Sequence, residues 1–174
     1  MKKLILILAI ALLPFISNAQ SIFSQFENND AVTTVIINKK AFEIMSNISV
    51  DDQEAQEMID LVKGLDQLKV YTTENKQIGN QMKGVIDSYL KQSKLSELLS
   101  VNDKDAKVNI YIKEGKNDNH VTELLMLVNE INGNGNKTPE SVIISISGDI
   151  YLDKISKLIN NMNIPAGEHI KTQK

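Results

Sequence analysis

The segment Ala106–Lys113 (AKVNIYIK) constrains the fold more than any other part of this chain. Val108, Ile110 and Ile112 alternate with Lys107, Asn109 and Tyr111, and a period of two fits a strand and not a helix. A strand with one dry side needs neighbours, because an isolated hairpin is barely stable in water. The flanking sequence supplies them. Glu97–Val101 precedes it across the turn Asn102–Asp105, and His120–Asn129 (HVTELLMLVN) follows the turn Gly115–Asn119. Ser141–Ser147 (SVIISIS) comes after the positive-φ loop Asn132–Asn136 (NGNGN). Four short strands joined by turns predict an antiparallel meander.

The first half alternates between periods. Ala31–Asn38 (AVTTVIIN) and Leu68–Thr73 (LKVYTT) are β-branched and predict two further strands. A short helix is expected within 21–29, from the spacing of Ile22, Phe23 and Phe26. Another is expected after a cap at Asn38, carrying Ala41, Phe42 and Met45. Asp51 and Glu54 have capping-box spacing before an apolar stripe of Ala55, Met58, Ile59, Val62 and Leu65, stopped by Gly64. Ile78, Met82, Val85, Ile86, Tyr89 and Leu90 mark a long amphipathic helix. Ile150–Asn160 predicts a closing helix, with Gly148 permitting the turn into it and Asp149 capping it. The order implies an α+β two-layer sandwich, a mixed, mainly antiparallel sheet with helices on one face. Both sides of Thr122–Val128 are apolar, which is read as a central strand buried on both faces in preference to a wall of a ligand cavity.

The N-terminus predicts export. Lys2 and Lys3 precede the apolar run Leu4–Ile16, and Ser17-Asn18-Ala19 places small residues for cleavage between Ala19 and Gln20. The run is too short to span a bilayer. The expected parts are therefore a signal peptide at 1–19, one domain at 20–164 and a polar tail at 165–174. A periplasmic or secreted protein is expected, with no stable membrane anchor after cleavage. The chain has no cysteine, so disulfides, thiol chemistry and a lipid anchor on an N-terminal cysteine are excluded.

Charge narrows the partners. Losing Lys2 and Lys3 lowers the 19 basic residues to 17 against 22 acidic ones, a net charge of −5, and every basic residue is lysine. Without arginine forks, an acidic chain is a poor binder of nucleic acid.

No catalytic, cofactor or metal motif rises above background. His120 and His169 are expected as ordinary surface residues. The acidic run Asp51, Asp52, Glu54, Glu57 and Asp60 reads as a solvated helix start, favoured by the helix dipole. Asn102–Asp105 lacks the glycine and distal glutamate of a calcium loop. Asn47–Ser49 and Asn136–Thr138 match glycosylation acceptors by chance in a chain rich in asparagine. The candidate contact residues are Asn109, Tyr111, Ser145 and Ser147 on a water-tolerant sheet face opposite the helices, with Asn134 in the Asn/Gly loop. The expected role is non-enzymatic binding of an envelope protein or small ligand. The alternative is a carboxylate-dependent hydrolase or lyase using Asp149 and Asp153 with Glu54 or Glu57.

Several phrases resemble the DUF4252 family, a domain of unknown function in exported bacterial proteins. They are the strand Val32–Ile37, Lys63–Tyr71 (KGLDQLKVY), Val108–Lys113 with Glu123–Leu127, and Ile144–Ile150 (ISISGDI). The resemblance spans nearly the whole chain after Ala19. It implies a fold and transfers no catalytic residue.

Overall fold

The computed structural model describes residues 22–47, 56, 59–60, 62–104, 106–117, 119–131 and 138–152. Its elements run α1 (Ser24–Glu27), β1 (Thr33–Asn38), α2 (Lys39–Ser46), β2 (Leu65–Thr73), α3 (Lys76–Gln92), β3 (Ser96–Asn102), β4 (Lys107–Glu114), β5 (His120–Asn129) and β6 (Ser141–Tyr151). The strands form one six-stranded sheet in the order β1-β2-β6-β5-β4-β3. Every pairing is antiparallel. The class is α+β, and the predicted meander is β3 to β6.

Helix α3 shows how the sheet organises the rest. The chain leaves β2 and must reach β3, four strand spacings or about 19 Å away. A 17-residue helix spans about 26 Å, so α3 crosses one face between the two. Its apolar stripe makes that crossing favourable: Met82 and Ile86 pack with Tyr71, Leu125, Leu127 and Ile143 of the sheet and with Phe23 and Phe26 around α1. The other face is also apolar. Val108, Ile110, Ile112, Leu124, Met126, Val128, Ile144 and Ile146 join Phe42 of α2 in a second cluster. Strand β5 feeds alternate side chains to both clusters, and Leu124, Leu125, Met126, Leu127 and Val128 are all buried. A strand covered on both faces needs no polar alternation, so the apolar run at Thr122–Val128 is a central strand.

Four local expectations are corrected. Leu65, expected on a helical stripe, begins β2. Asn38 stands at the N-cap of α2 without capping it, because its Oδ1 accepts from Gln67 Nε2 at 3.0 Å. Residues 148–151 continue β6 instead of turning into a helix at Asp149. Gly148 has φ +138°, and a Cβ there would come 2.7 Å from Asp66 N and 2.8 Å from Leu65 Cα. Its glycine serves a close crossing of β6 over the start of β2, where Asp149 N donates to Gly64 O at 2.7 Å. Finally, the face bearing Asn109, Tyr111, Ser145 and Ser147 is the one α3 lies on, since register puts Tyr111 opposite Leu125 and Leu125 opposite Ser145. Gln56, Ile59, Asp60 and Val62 are helical, as expected for the second helix. The rest of that helix, the loop 132–137, and residues 1–21 and 153–174 lie outside the described residues.

Candidate functional site

One end of the α3 face is polar. Register sets Lys69 beside Ser145, and Gln67 beside Ser147, which in turn pairs with Glu123. Two strand spacings separate Gln67 from Glu123, about 10 Å. The Ser145 and Ser147 side chains are half-exposed and form the middle of this floor.

Each side of the floor is built around a glutamate held by a tyrosine. On the β2 side, Lys69 Nζ donates to Glu27 Oε1 at 2.9 Å and Tyr71 OH donates to the same oxygen at 3.0 Å. The side chains of Lys69 and Glu27 are 11% and 27% exposed, and Tyr71 is fully buried. The hydrogen bond from Lys69 holds Glu27 below the usual carboxylate range; burial opposes it, and the Tyr71 bond and the Lys69 charge add to it. Sequence placement explains the cluster. Glu27 ends α1, whose Phe26 is buried, and Phe23 and Phe26 rest on Tyr71 with ring centroids 5.6 and 6.4 Å away. The aromatic contacts seat α1 so that its last residue meets the lysine.

On the β5 side, Tyr89 OH donates to Glu123 Oε1 at 2.7 Å. Burial raises the Tyr89 phenol far above its ordinary value, and the Glu123 bond and charge push it the same way. The hydroxyl therefore stays a proton donor. Phe23 bridges the two sides, 6.3 Å from Tyr89 in an edge-on contact. Tyr111 borders the floor toward β3. Its phenol is raised by burial first and then by the charges of Glu97 and Asp87. A groove of about 520 Å³ runs along the outside of α3, lined by Ile22, Gln25, Gln81, Val85, Ser88 and Tyr89 among others. Tyr89 belongs to both the groove and the floor.

The arrangement suits recognition. Both glutamates are already engaged by donors from their own chain, while Ser145, Ser147 and Tyr111 lie partly exposed on the sheet beside them. Of the sequence candidates, the structure brings together Tyr111, Ser145 and Ser147. Asn109 lies two residues along β4 from Tyr111, with its amide donating to Ser100 Oγ at 2.9 Å on the edge strand. Asn134, Ala19 and Gln20 lie outside the described residues. Sequence reasoning did not single out Glu27, Lys69, Tyr71, Tyr89 or Glu123. One signal was present: Lys69 and Tyr71 share a side of a strand, and a lysine in register with a buried aromatic needs a counter-ion.

The carboxylate alternative rested on Asp149. That side chain is 54% exposed, with Oδ1 2.5 Å from His120 Nε2. Glu54, Glu57 and Asp153 lie outside the described residues. His120 corrects an expectation, since it is 6% exposed and packs on Tyr151 at 4.7 Å between centroids. The Asp149 contact is short but not aligned, and neither ring nitrogen makes a well-directed hydrogen bond. The hairpin after Gly115 folds His120 inward: Gly115 N donates to His120 O at 2.7 Å, and His120 N to Asn117 O at 2.9 Å. Among the described residues, no cluster of three metal-ligating side chains occurs.

A family model described as Domain of unknown function (DUF4252) matches residues 26–158. No curated protein and no solved structure matches the chain.

Proposed function

The chain belongs to the DUF4252 family, and on that footing we propose that it is an exported envelope protein that works by binding, with Tyr111, Ser145 and Ser147 as its contact surface. The observation that carries the reading is the polar floor itself. Its partly exposed Ser145 and Ser147 lie between a Lys69–Glu27–Tyr71 cluster and a Tyr89–Glu123 pair, each joined by hydrogen bonds. A preorganised polar surface loses little entropy when a partner docks, which favours recognition. A partner offering amides or hydroxyls, as a peptide segment or a polar small ligand does, matches this chemistry. The Met1–Ala19 layout supports export, and no helix among the described residues is long and apolar enough to cross a membrane.

A photo-crosslinking residue placed at Ser147 in living cells tests the binding role. The same group at Asn109, whose amide already serves Ser100, is the comparison. A discrete adduct from position 147 and a weaker one from 109 is expected. No adduct from 147 under any growth condition overturns the reading. N-terminal sequencing of the cell-envelope fraction tests export: Gln20 is the expected first residue, and an intact Met1 in the cytosol refutes it.

A further inference from the structure

The two edges of the sheet are built differently. Edge strand β3 carries the irregularity of a bulge between Glu97 and Leu99, holds Glu97 within it and is bracketed by Lys94 and Asp103. Bulges and charges are the usual means of keeping an edge from pairing with another chain. Edge strand β1 has charges only beyond its ends and carries neither a bulge nor a charge within the strand. Thr33–Asn38 (TTVIIN) contains no charge and no proline, and its pairing with β2 runs without a register shift. Val35 is 47% and Ile36 40% exposed, and Ile44 on the following helix is 60% exposed. Among the described residues, three of the five exposed large hydrophobics thus lie on β1 and α2, at one edge of the sheet.

We infer that β1 pairs antiparallel with β1 of a second copy of this chain, extending two six-stranded sheets into one. The occupant is a second copy because the strand is complementary to itself. A two-fold axis between two antiparallel strands must run perpendicular to the sheet, and paired residues then share a face. The register must therefore pair positions of equal parity. Centring the axis on Val35 sets Val35 against Val35, Thr34 against Ile36 and Thr33 against Ile37. Opposite charges stand beyond the two ends of the strand, Asp30 exposed in the turn before it and Lys40 exposed in the first turn of α2 after it, so an antiparallel copy brings the acidic end of one strand to the basic end of the other. Lys40 is free to respond, since its side chain is 81% exposed and its link to Glu43 is an exposed i,i+3 pair. Both ends of the paired strands thus meet opposite charge, although the whole chain is acidic. Pairing also covers Val35 and Ile36, each on its own face of the joined sheet.

Sedimentation velocity of the purified protein beginning at Gln20 tests this. At roughly 100 µM, where an interface of the weak and transient size class is populated, a dimer is expected. Val35→Lys and Val35→Glu each set like charges directly opposite across the axis, and each should lower the dimer association constant at least about tenfold, a loss of ~1.4 kcal/mol. Mixing the two variants sets lysine against glutamate and should restore a heterodimer, which a variant that had merely misfolded could not form. Leu98→Lys, on the opposite edge, should leave the dimer unchanged. A monomeric wild-type protein, a dimer that survives Val35→Lys, or a mixture that stays monomeric overturns the inference.

Discussion

Removing one partner from the Lys69–Glu27 pair should cost unequal amounts, and the inequality follows from burial. In Lys69→Met the straight apolar stem is kept and the charge lost. Glu27 is then left with the Tyr71 hydroxyl, but its side chain is 27% exposed, so water takes over part of the solvation. A buried ion pair broken at one end costs about 3–5 kcal/mol when the orphan is fully dry, and this partly wetted orphan should cost about 1–2 kcal/mol. In Glu27→Met the orphan is Lys69, only 11% exposed, and Tyr71, fully buried, also loses its acceptor at 3.0 Å. An unpaired ammonium and a hydroxyl deprived of its carboxylate acceptor, both in a drier place, should cost about 3–4 kcal/mol. The double variant removes both charges and takes only the Glu27 acceptor from the Tyr71 hydroxyl, about 1–2 kcal/mol. Adding Tyr71→Phe removes that group too and should bring stability back to within about 1 kcal/mol of wild type. Urea unfolding of the set, with the slope checked for constancy, measures all four. Equal losses in the two single variants, or a double variant whose loss is their sum, would refute the claim that orphaned buried charge and not lost attraction sets the cost.

Acid should weaken the same cluster. The hydrogen bond from Lys69 holds the folded-state Glu27 below the usual carboxylate range, so its contribution is full above that range and is lost as pH falls through the lower folded value; Lys69→Met should flatten this part of a stability profile taken below about pH 5. Gly148→Ala should cost about 2 kcal/mol or more by chemical denaturation, because φ +138° disfavours a side chain and the new Cβ meets backbone of β2. Asn75→Ala should cost about 1 kcal/mol, since its side chain accepts from Gln77 N and Ile78 N at the start of α3. Asn38→Ala, at a cap position whose side chain serves Gln67 instead, should cost only about 0.5 kcal/mol by the same measurement.

Most of the sheet was legible before the fold was known, and particular residues show why. Val108, Ile110 and Ile112 alternate with polar neighbours, and β4 formed where that alternation runs. The apolar run Leu124–Val128 was legible as a central strand because only a position covered on both faces leaves so many apolar residues dry. The helix stripe from Ile78 to Leu90 likewise gave α3 within two residues at each end. These are local signals, each set by the repeat of the backbone conformation itself. The Gly148–Asp149 segment was misread because a glycine before an acidic residue has two meanings. It can open a helix, or it can let one chain pass close to another, and only the presence of Gly64 and Leu65 beside it selects the second.

The site lay beyond the sequence for the same reason. By itself the chain determined its α+β class, its strand and helix segments, its lack of disulfides and the lysine-only character of its cations, all of which follow from residue type and short spacing. Tertiary structure alone decided that Glu27 reaches Lys69 across 42 positions, that Tyr89 reaches Glu123 across 34, and that His120 turns inward. It also decided that, among the described residues, β1 and β3 form the two edges of the sheet. Strand order and helix crossing create those contacts, and neither is written in any local period of the chain.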